Sequence, residues 1–271
     1  MRSVFTDGVL DCLMDHDIYF SDIYGISAAS KDMVYYALKK KNEAFKLNLL
    51  TARDENVINL GNVIFGQSAF NSEYFFNVLQ KNNYPIDYNS LKDLDINLYF
   101  GTTNFNLGKI EYFTNKDSNI KDSILASCSI PVIQNPVIIN NNEYIDGGVC
   151  ENIPFQTAIK NGFKKIVCIS TREKGYRKTK ESASKENMFI NMKYGNDLNK
   201  LKLLTSVSDR YNEEFSKLDS LTDENKIFTI YLSKPCNVEH FEKDINKLEE
   251  LYKDGYNQME KNLEKLYKYL M

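Results

Sequence analysis

Asp22-Ile23-Tyr24-Gly25-Ile26-Ser27-Ala28-Ala29-Ser30 reads as a strand that runs into a tight turn carrying a serine and then into a helix. Ile23 and Tyr24 suit a short buried strand. Beyond the turn, Met33, Ala37 and Leu38 recur at helical spacing in the segment Lys31 to Lys41. A serine between the two stands in the strand-turn-helix context of a nucleophile elbow, and Ser27 is the candidate nucleophile. The small residues around it have a steric reason. A sharp turn lifts the hydroxyl to the helix N-terminus, and a large side chain at Gly25 or Ala29 would collide with the neighbouring strand or helix. Ala29 stands where the Gly-x-Ser-x-Gly pattern has its second glycine, one methyl group away from it.

Around this stretch lies a chain of 271 residues whose 42% hydrophobic content can bury a substantial core, and one domain is expected. Lys plus Arg number 34 against 37 for Asp plus Glu, a formal charge of −3, so no basic field argues for nucleic acid. Cys12, Cys128, Cys150, Cys168 and Cys236 show no Cys-x-x-Cys spacing and read as reduced thiols. No charged-then-apolar leader opens the sequence, and no apolar run approaches the roughly 18 residues that span a bilayer. A cytoplasmic location is the expectation.

In chain order, Val4, Phe5, Val9, Leu10, Leu13 and Met14 predict a helix to about Asp15. Residues 47 to 95 read as a mixed insertion or cap, with an apolar cluster at Val57 to Phe65 and a helix from Ser68 to Gln80. Ile96 to Thr102 and Lys109 to Thr114 read as strands joined by a turn at Asn104 to Gly108. A short helix over Ser118 to Ser127 stops before Pro131. Val137 to Ile139 and Glu143 to Ile145 flank Asn140-Asn141-Asn142 as a hairpin. Asp146-Gly147-Gly148 follows, then a helix to Lys160 and the apolar run Lys164 to Thr171, typical of a strand buried on both faces of a parallel sheet. Arg172 to Asn187 reads as a lysine-rich surface loop, followed by one long helix over Gly195 to Leu218 and a strand over Ile227 to Leu232. Val238 to Leu270 closes the chain with an apolar stripe that packs on the sheet or, as the alternative, lies on a membrane surface. Strands alternating with helices predict an α/β layered fold.

Ser27 needs a base. The chain holds two histidines, His16 and His240, and Ser27, Asp146 and His240 stand in the serine, acid, histidine order of α/β-hydrolases. That fold needs several strands before its elbow, whereas 26 residues precede Ser27 here. His16, at a helix end, reads as a surface or capping residue. A carboxylate within hydrogen-bond reach can replace the histidine if burial raises its pKa. Asp146, between Ile145 and two glycines, is the best candidate, although Asp-Gly is also an ordinary turn dipeptide.

With this pairing the residues reach a family. Arg2, Phe5, Thr6, Gly8-Val9-Leu10 and Leu13 look like a first helix of the patatin-like phospholipases; Gly25-Ile26-Ser27-Ala28 is similar to their elbow. Ala126-Ser127-Cys128-Ser129-Ile130-Pro131 resembles their small-residue helix end, and Tyr144-Ile145-Asp146-Gly147-Gly148-Val149 with Glu151-Asn152-Ile153-Pro154 resembles their aspartate loop. The resemblance implies a three-layer α/β/α patatin-like fold with a central, mostly parallel sheet. Residues 1–172 would form the catalytic core, and 173–271 a helical C-terminal extension with one further strand. It implies a Ser27–Asp146 dyad, an aspartate loop at Gly147 and Gly148, and oxyanion and elbow positions at Arg2, Ser3, Gly25, Ala28 and Ala29. The activity implied is lipid acyl hydrolysis of phospholipase A or esterase type through an acyl-enzyme. No metal or cofactor is implied. The partners are a lipid or acyl-ester substrate, with peripheral membrane contact, and no nucleic acid.

The same resemblance implies a strand and a Gly-Gly-Gly-x-Arg-Gly oxyanion loop before the first helix, of which Met1-Arg2-Ser3 match only the end. An oxyanion donor is worth about 10² to 10³ in rate. Two readings follow. In the favoured one Met1 is an internal methionine of a longer protein, because a degenerate copy has little reason to keep Ser27 and Asp146. In the other, the chain is an impaired lipid-binding or scaffold protein.

Overall fold

The computed structural model describes residues 1–59, 61–62 and 67–271, so part of the Val57 to Phe65 cluster lies outside the described residues. The first helix, α1 (Val4–Asp15), is buried on nearly every face, from Val4 through Met14. Helices with no solvent face sit inside a layered core, and α1 is covered by the last helix, α11 (Ile245–Leu270), whose Leu248, Leu251, Gly255, Met259, Leu263 and Leu266 form one buried stripe. The C-terminal stripe therefore packs on the protein itself, and Asp244 caps the helix by accepting the N–H of Asn246 at 2.9 Å.

β1 (Asp22–Ile26) leads directly into α2 (Ala28–Ala37), and α3 (Glu43–Arg53) follows. A buried polar knot ties the three helices together: Lys31 donates to Asp32 and, at 3.1 Å, to the Asn48 side-chain oxygen, while the Asn48 amide donates to Asp7 at 2.7 Å. The cap region carries α4 (Ser72–Tyr74), a π-helical stretch Phe75–Gln80 and α5 (Lys81–Asn83) in continuous succession. The helix begins later than Ser68 because the Asn71 side chain accepts the Tyr74 N–H at 3.1 Å and fixes the start there.

β2 (Asn97–Asn104) is the strand around which the main sheet forms. It pairs antiparallel with β3 (Lys109–Thr114) along one edge, with registers from Tyr99↔Thr114 to Asn104↔Lys109. Its other edge is shared: β1 runs parallel to it from Asp22↔Asn97 to Ile26↔Gly101, and β5 (Asn142–Asp146) runs antiparallel to it from Asn104↔Tyr144 to Thr102↔Asp146. β1 and β5 therefore point at each other head to head, meeting between Gly101 and Thr102. β4 (Val137–Ile139) completes the hairpin with β5 across Asn140 and Asn141, both of which adopt positive φ (49° and 65°). Between the arms of this sheet, α6 (Ile120–Ser127) packs on β2, β4 and β5.

α7 (Phe155–Lys160) leads to β6 (Val167–Ile169), which pairs in parallel with β7 (Phe228–Ile230) as a second, two-stranded sheet. Its residues alternate between two cores: Val167, Ile169, Phe228 and Ile230 face α1 and α11, whereas Ile166, Cys168 and Ile227 face α7 and α10 (Val207–Asp223). Helices thus cover both faces of mixed β structure, the three-layer α/β/α arrangement expected from the sequence.

Two helical expectations need correction. Arg172 to Asn187 is a loop only in its first part, since α8 (Lys180–Tyr194) begins inside it. Lys, Glu, Ala and Met favour helix, but a sequence without an apolar period hides it. The single helix expected over Gly195 to Leu218 is two, α9 (Leu198–Thr205) and α10. They part at Ser206, whose hydroxyl donates to the Lys202 carbonyl at 2.7 Å and competes with the helical ladder. Among the described residues, no helix is long and apolar enough to cross a membrane.

The crossing of α1 and α11 is backbone against backbone. A Cβ at Gly8 would lie 2.1 Å from the Tyr252 carbonyl oxygen, and one at Gly255 would lie 2.1 Å from that of Phe5. Gly255→Ala is expected to force the helices apart at a loss of about 1–3 kcal/mol, read as a lower melting temperature by calorimetry. An unchanged melting temperature would show that the crossing can relax freely.

Candidate active site

Ser27 sits at the junction of β1 and α2 with φ 57° and ψ −133°, a conformation that residues with a Cβ rarely adopt. Two serines hold it there. The Ser27 N–H donates to the Ser127 hydroxyl at 2.9 Å, and the Ser30 N–H donates to the Ser27 carbonyl at 2.9 Å. The Ser30 and Ser127 hydroxyls, 2.7 Å apart, reach the carbonyls of Gly25 at 2.9 Å and Gly101 at 2.6 Å. Two hydroxyl protons are thus distributed over three contacts beneath the elbow. At Gly25 any Cβ would meet Ser30 Cα at 2.8 Å and Met33 Sδ at 2.7 Å, so the turn closes only with glycine. Ser30 and Ser127 carry no chemistry of their own. Their signal in the sequence was two separate runs of small residues, Ala28-Ala29-Ser30 after the turn and Ala126-Ser127-Cys128-Ser129 at the end of α6.

Asp146 ends β5 at the other side of the head-to-head junction. Its N–H donates to the Ser129 carbonyl at 2.9 Å, and its carbonyl accepts the Thr103 hydroxyl at 2.9 Å, so the backbone is clamped on both sides. Gly147 and Gly148 then turn sharply as a 3-10 helix, Gly147–Val149. A Cβ at Gly147 would lie 2.4 Å from the Gly101 carbonyl oxygen. The result is a carboxylate with each oxygen assigned: Oδ1 accepts the Gly148 N–H at 2.7 Å, and Oδ2 accepts the Ser27 hydroxyl at 2.6 Å. Asp146 is 8% exposed. Burial pushes its carboxyl up to about 6, against the pull of the Ser27 and Gly148 donors and of the Lys178 ammonium.

Ser27 and Asp146 face a cavity of about 1280 Å³ that is also lined by Arg2, Ser3, Ala28, Ala29 and Gly148. Gly25 and Gly147 stand behind it as backbone. Phe70, Phe75 and Phe76 of the cap region and Ile130, Val132 and Ile133 after α6 make its walls apolar. The facing strands β1 and β6 contribute Ile23, Tyr24, Val167 and Ile169 to the same cavity, which runs between the two sheets. Ser3 is the residue before α1, with helical φ and ψ. Arg2 reaches the Nε2 of His240 at 2.5 Å.

The two histidines stand elsewhere in the chemistry. His240 lines the cavity from its exposed side, its ring nitrogen is engaged by Arg2, and the adjacent Arg2 charge disfavours protonation of the ring. His16 pairs with Glu260 at 2.8 Å on the α1–α11 surface. Among the described residues, Cys12, His16 and Glu260 bring a thiol, an imidazole and a carboxylate within 4.8 Å of one another, but none of them lines the cavity.

Comparison with known proteins identifies the family of the chain. A probable lipid hydrolase, 463L, of Invertebrate iridescent virus 6 is 28% identical over 182 residues, covering 61% of this chain and 62% of the viral protein. The chain therefore spans less than two thirds of that relative's length. Residues 199–271 match a family described as a domain of unknown function (DUF6363). Residues 1–159, which contain the elbow, the aspartate loop and the whole of the main sheet, match the patatin-like phospholipase model, and the chain belongs to that family.

Proposed function

We propose that this protein hydrolyses acyl esters of lipids, with Ser27 as nucleophile and Asp146 as its general base. The observation that carries the reading is the 2.6 Å hydrogen bond from a strained serine to a buried carboxylate at the wall of an apolar cavity. Family membership and the name of the viral relative, a probable lipid hydrolase, support the same class of substrate.

Asp146 Oδ2 takes the Ser27 proton as Oγ attacks the ester carbonyl carbon, giving a tetrahedral oxyanion. The leaving alcohol takes that proton from Asp146, and an acyl-enzyme remains. Water then attacks the acyl group, Asp146 accepts its proton, and the fatty acid leaves as the proton returns to Ser27. The first turn of α2 has N–H groups without intrahelical partners, and those of Ala28 and Ala29 stand beside Ser27 with the positive end of the helix dipole. They are the donors assigned to the oxyanion, with Arg2 and Ser3 on the same cavity wall. Burial suits the carboxyl to this role, because at about 6 it is a stronger base than an ordinary aspartate, yet ionised at neutral pH.

Residues 1–271 act in this reading as one unit, because α11 covers α1 and β7 pairs with β6. Peripheral contact with a lipid surface fits as well. Met188, Phe189 and Met192 of α8 and Leu198 of α9 are exposed, and Phe189 also lines the cavity, so the apolar patch is continuous with the site.

Ser27→Ala should abolish hydrolysis of a chromogenic short-chain ester and Asp146→Asn should nearly do so, while His240→Ala keeps most of the activity. Turnover in Ser27→Ala would refute the dyad; ligand binding by a wild-type protein that turns over nothing would move the reading to a lipid carrier. Because the base must be ionised, kcat/KM should fall about tenfold per pH unit below about 6.

Stability should run the other way. A carboxyl whose folded pKa lies above the usual 3.8 contributes stability that is full below 3.8 and lost as pH rises through about 6. Ionised Asp146 thus costs on the order of 2–3 kcal/mol at pH 8. Asp146→Asn should melt higher than wild type at pH 8, with the difference vanishing near pH 4. Equal melting temperatures at both pH values would mean that the carboxylate is not desolvated.

A further inference from the structure

α10 carries Arg210 and Glu214 one turn apart, on the face that meets the loop after Asp146. The Arg210 guanidinium donates to the Val149 carbonyl through Nε at 3.2 Å and Nη2 at 2.9 Å. The Glu214 carboxylate accepts the backbone N–H groups of Asn152 at 3.0 Å and Ile153 at 2.7 Å, and the Asn152 side-chain amide at 3.3 Å. One helical turn therefore grips both the carbonyl side and the N–H side of the same loop.

That loop is continuous with the site. Val149 closes the 3-10 turn that starts at Gly147, and the Gly148 N–H inside this turn is the donor that holds Asp146 Oδ1. The Val149 carbonyl lies two peptide planes beyond the Gly148 N–H within this one 3-10 turn, so a shift of Val149 would be carried through the turn to the Gly148 donor and to the orientation of the carboxylate. The choice of residues is informative. Glu214 is 6% exposed, and burial pushes its carboxyl up to about 7 even though three N–H groups point at it. Apolar side chains would join a helix to a loop at lower cost than a buried acid and a half-buried guanidinium, so packing alone does not account for the pair. Directional hydrogen bonds to named backbone atoms do.

We propose that Arg210 and Glu214 are positioning residues for the aspartate: they fix the loop 147–153 so that Gly148 takes Oδ1 and leaves Oδ2 to Ser27. This rests on the Ser27–Asp146 reading. Both residues lie in the region 199–271, whose matching family has no assigned function. They give that region a role: it supplies no reacting group and acts on the site through the backbone of the aspartate loop.

The test is the titration of Asp146 itself, followed by NMR of ¹³C-labelled aspartate carboxyls in the full chain, with Asp146→Asn identifying the signal. Wild type is expected to titrate near 6. In Arg210→Ala and in Glu214→Gln the titration should move up, because the Gly148 donor to the ionised form is lost while the Ser27 hydroxyl and Lys178 remain. Hydrolysis should fall in kcat by about 10²-fold with little change in KM, as expected for a misplaced group, and Arg210→Lys should recover part of it. Lys217→Ala, on the same helix, should alter neither. Glu214→Gln keeps the side-chain volume and one acceptor, and serves as the folded variant if Arg210→Ala melts too low. An unmoved Asp146 titration in a folded variant overturns the inference even when Ser27→Ala is inactive. Full turnover by Ser27→Ala overturns the dyad reading instead.

Discussion

Two strands compete for one edge of β2, and their meeting point is where Ser27 and Asp146 come into contact. β1 occupies that edge up to Gly101 and β5 occupies it from Thr102, so two chain ends arrive head to head at a single point of the sheet. Neither strand can continue through the other. β1 must turn away at Ser27, and β5 must turn away at Asp146. Two sharp turns in contact demand small residues, which explains Gly25, Gly101 and Gly147 together, each with no room for a Cβ. The Gly101 carbonyl, at the break between the two ladders, is satisfied by the Ser127 hydroxyl. A backbone constraint thus brings together residues 119 positions apart.

The junction is costly in two ways, through a serine with positive φ and through a carboxylate removed from water. Both are tolerated because the surroundings over-determine them. The Ser30–Ser127 pair braces the elbow, Thr103 and Ser129 clamp the aspartate backbone, and α10 grips the loop beyond it. Farther out, the polar knot of Asp7, Lys31, Asp32 and Asn48 is itself imperfect: one oxygen of Asp7 and one of Asp32 are buried without a hydrogen-bond partner. Burial pushes the Asp7 carboxyl well up, and the nearby Asp32 adds to the push. The net stability then comes from the apolar contacts of α1, α2 and the sheet around these groups.

Much of the architecture was legible in local sequence, because its signals are local. The elbow, the hairpin at Asn140-Asn141, the apolar run of β6 and the stripe of α11 each follow from a few neighbouring residues. Asp146 was singled out by its setting between Ile145 and two glycines, and the resemblance then supported its pairing with Ser27; the 2.6 Å contact itself joins segments 119 residues apart. What stayed hidden depends on contacts between distant segments. α8 lacks an apolar period. The break at Ser206 depends on one hydroxyl choosing a carbonyl over solvent. Gly8 and Gly255 read as ordinary helix residues until the two helices are seen to touch. Arg210 and Glu214, inside the helix expected over Gly195 to Leu218, carry no signal of their own until the loop they bond is in place.

The α1–α11 crossing also orders events in time. Tyr252, on the last helix, donates to Asp11, 241 residues earlier in the chain, and Gly255 must meet Phe5 before α1 is covered. During synthesis the elbow, the aspartate and the main sheet all leave the ribosome while α1 is still without its cover. A nascent chain in that state exposes the apolar face of α1 for as long as it takes to make more than two hundred residues, an interval of tens of seconds at about 5–20 residues per second. Long-range closure of this kind leaves the apolar face of α1 uncovered until α11 has been made, and exposed apolar surface of that sort is what makes growing chains prone to aggregate.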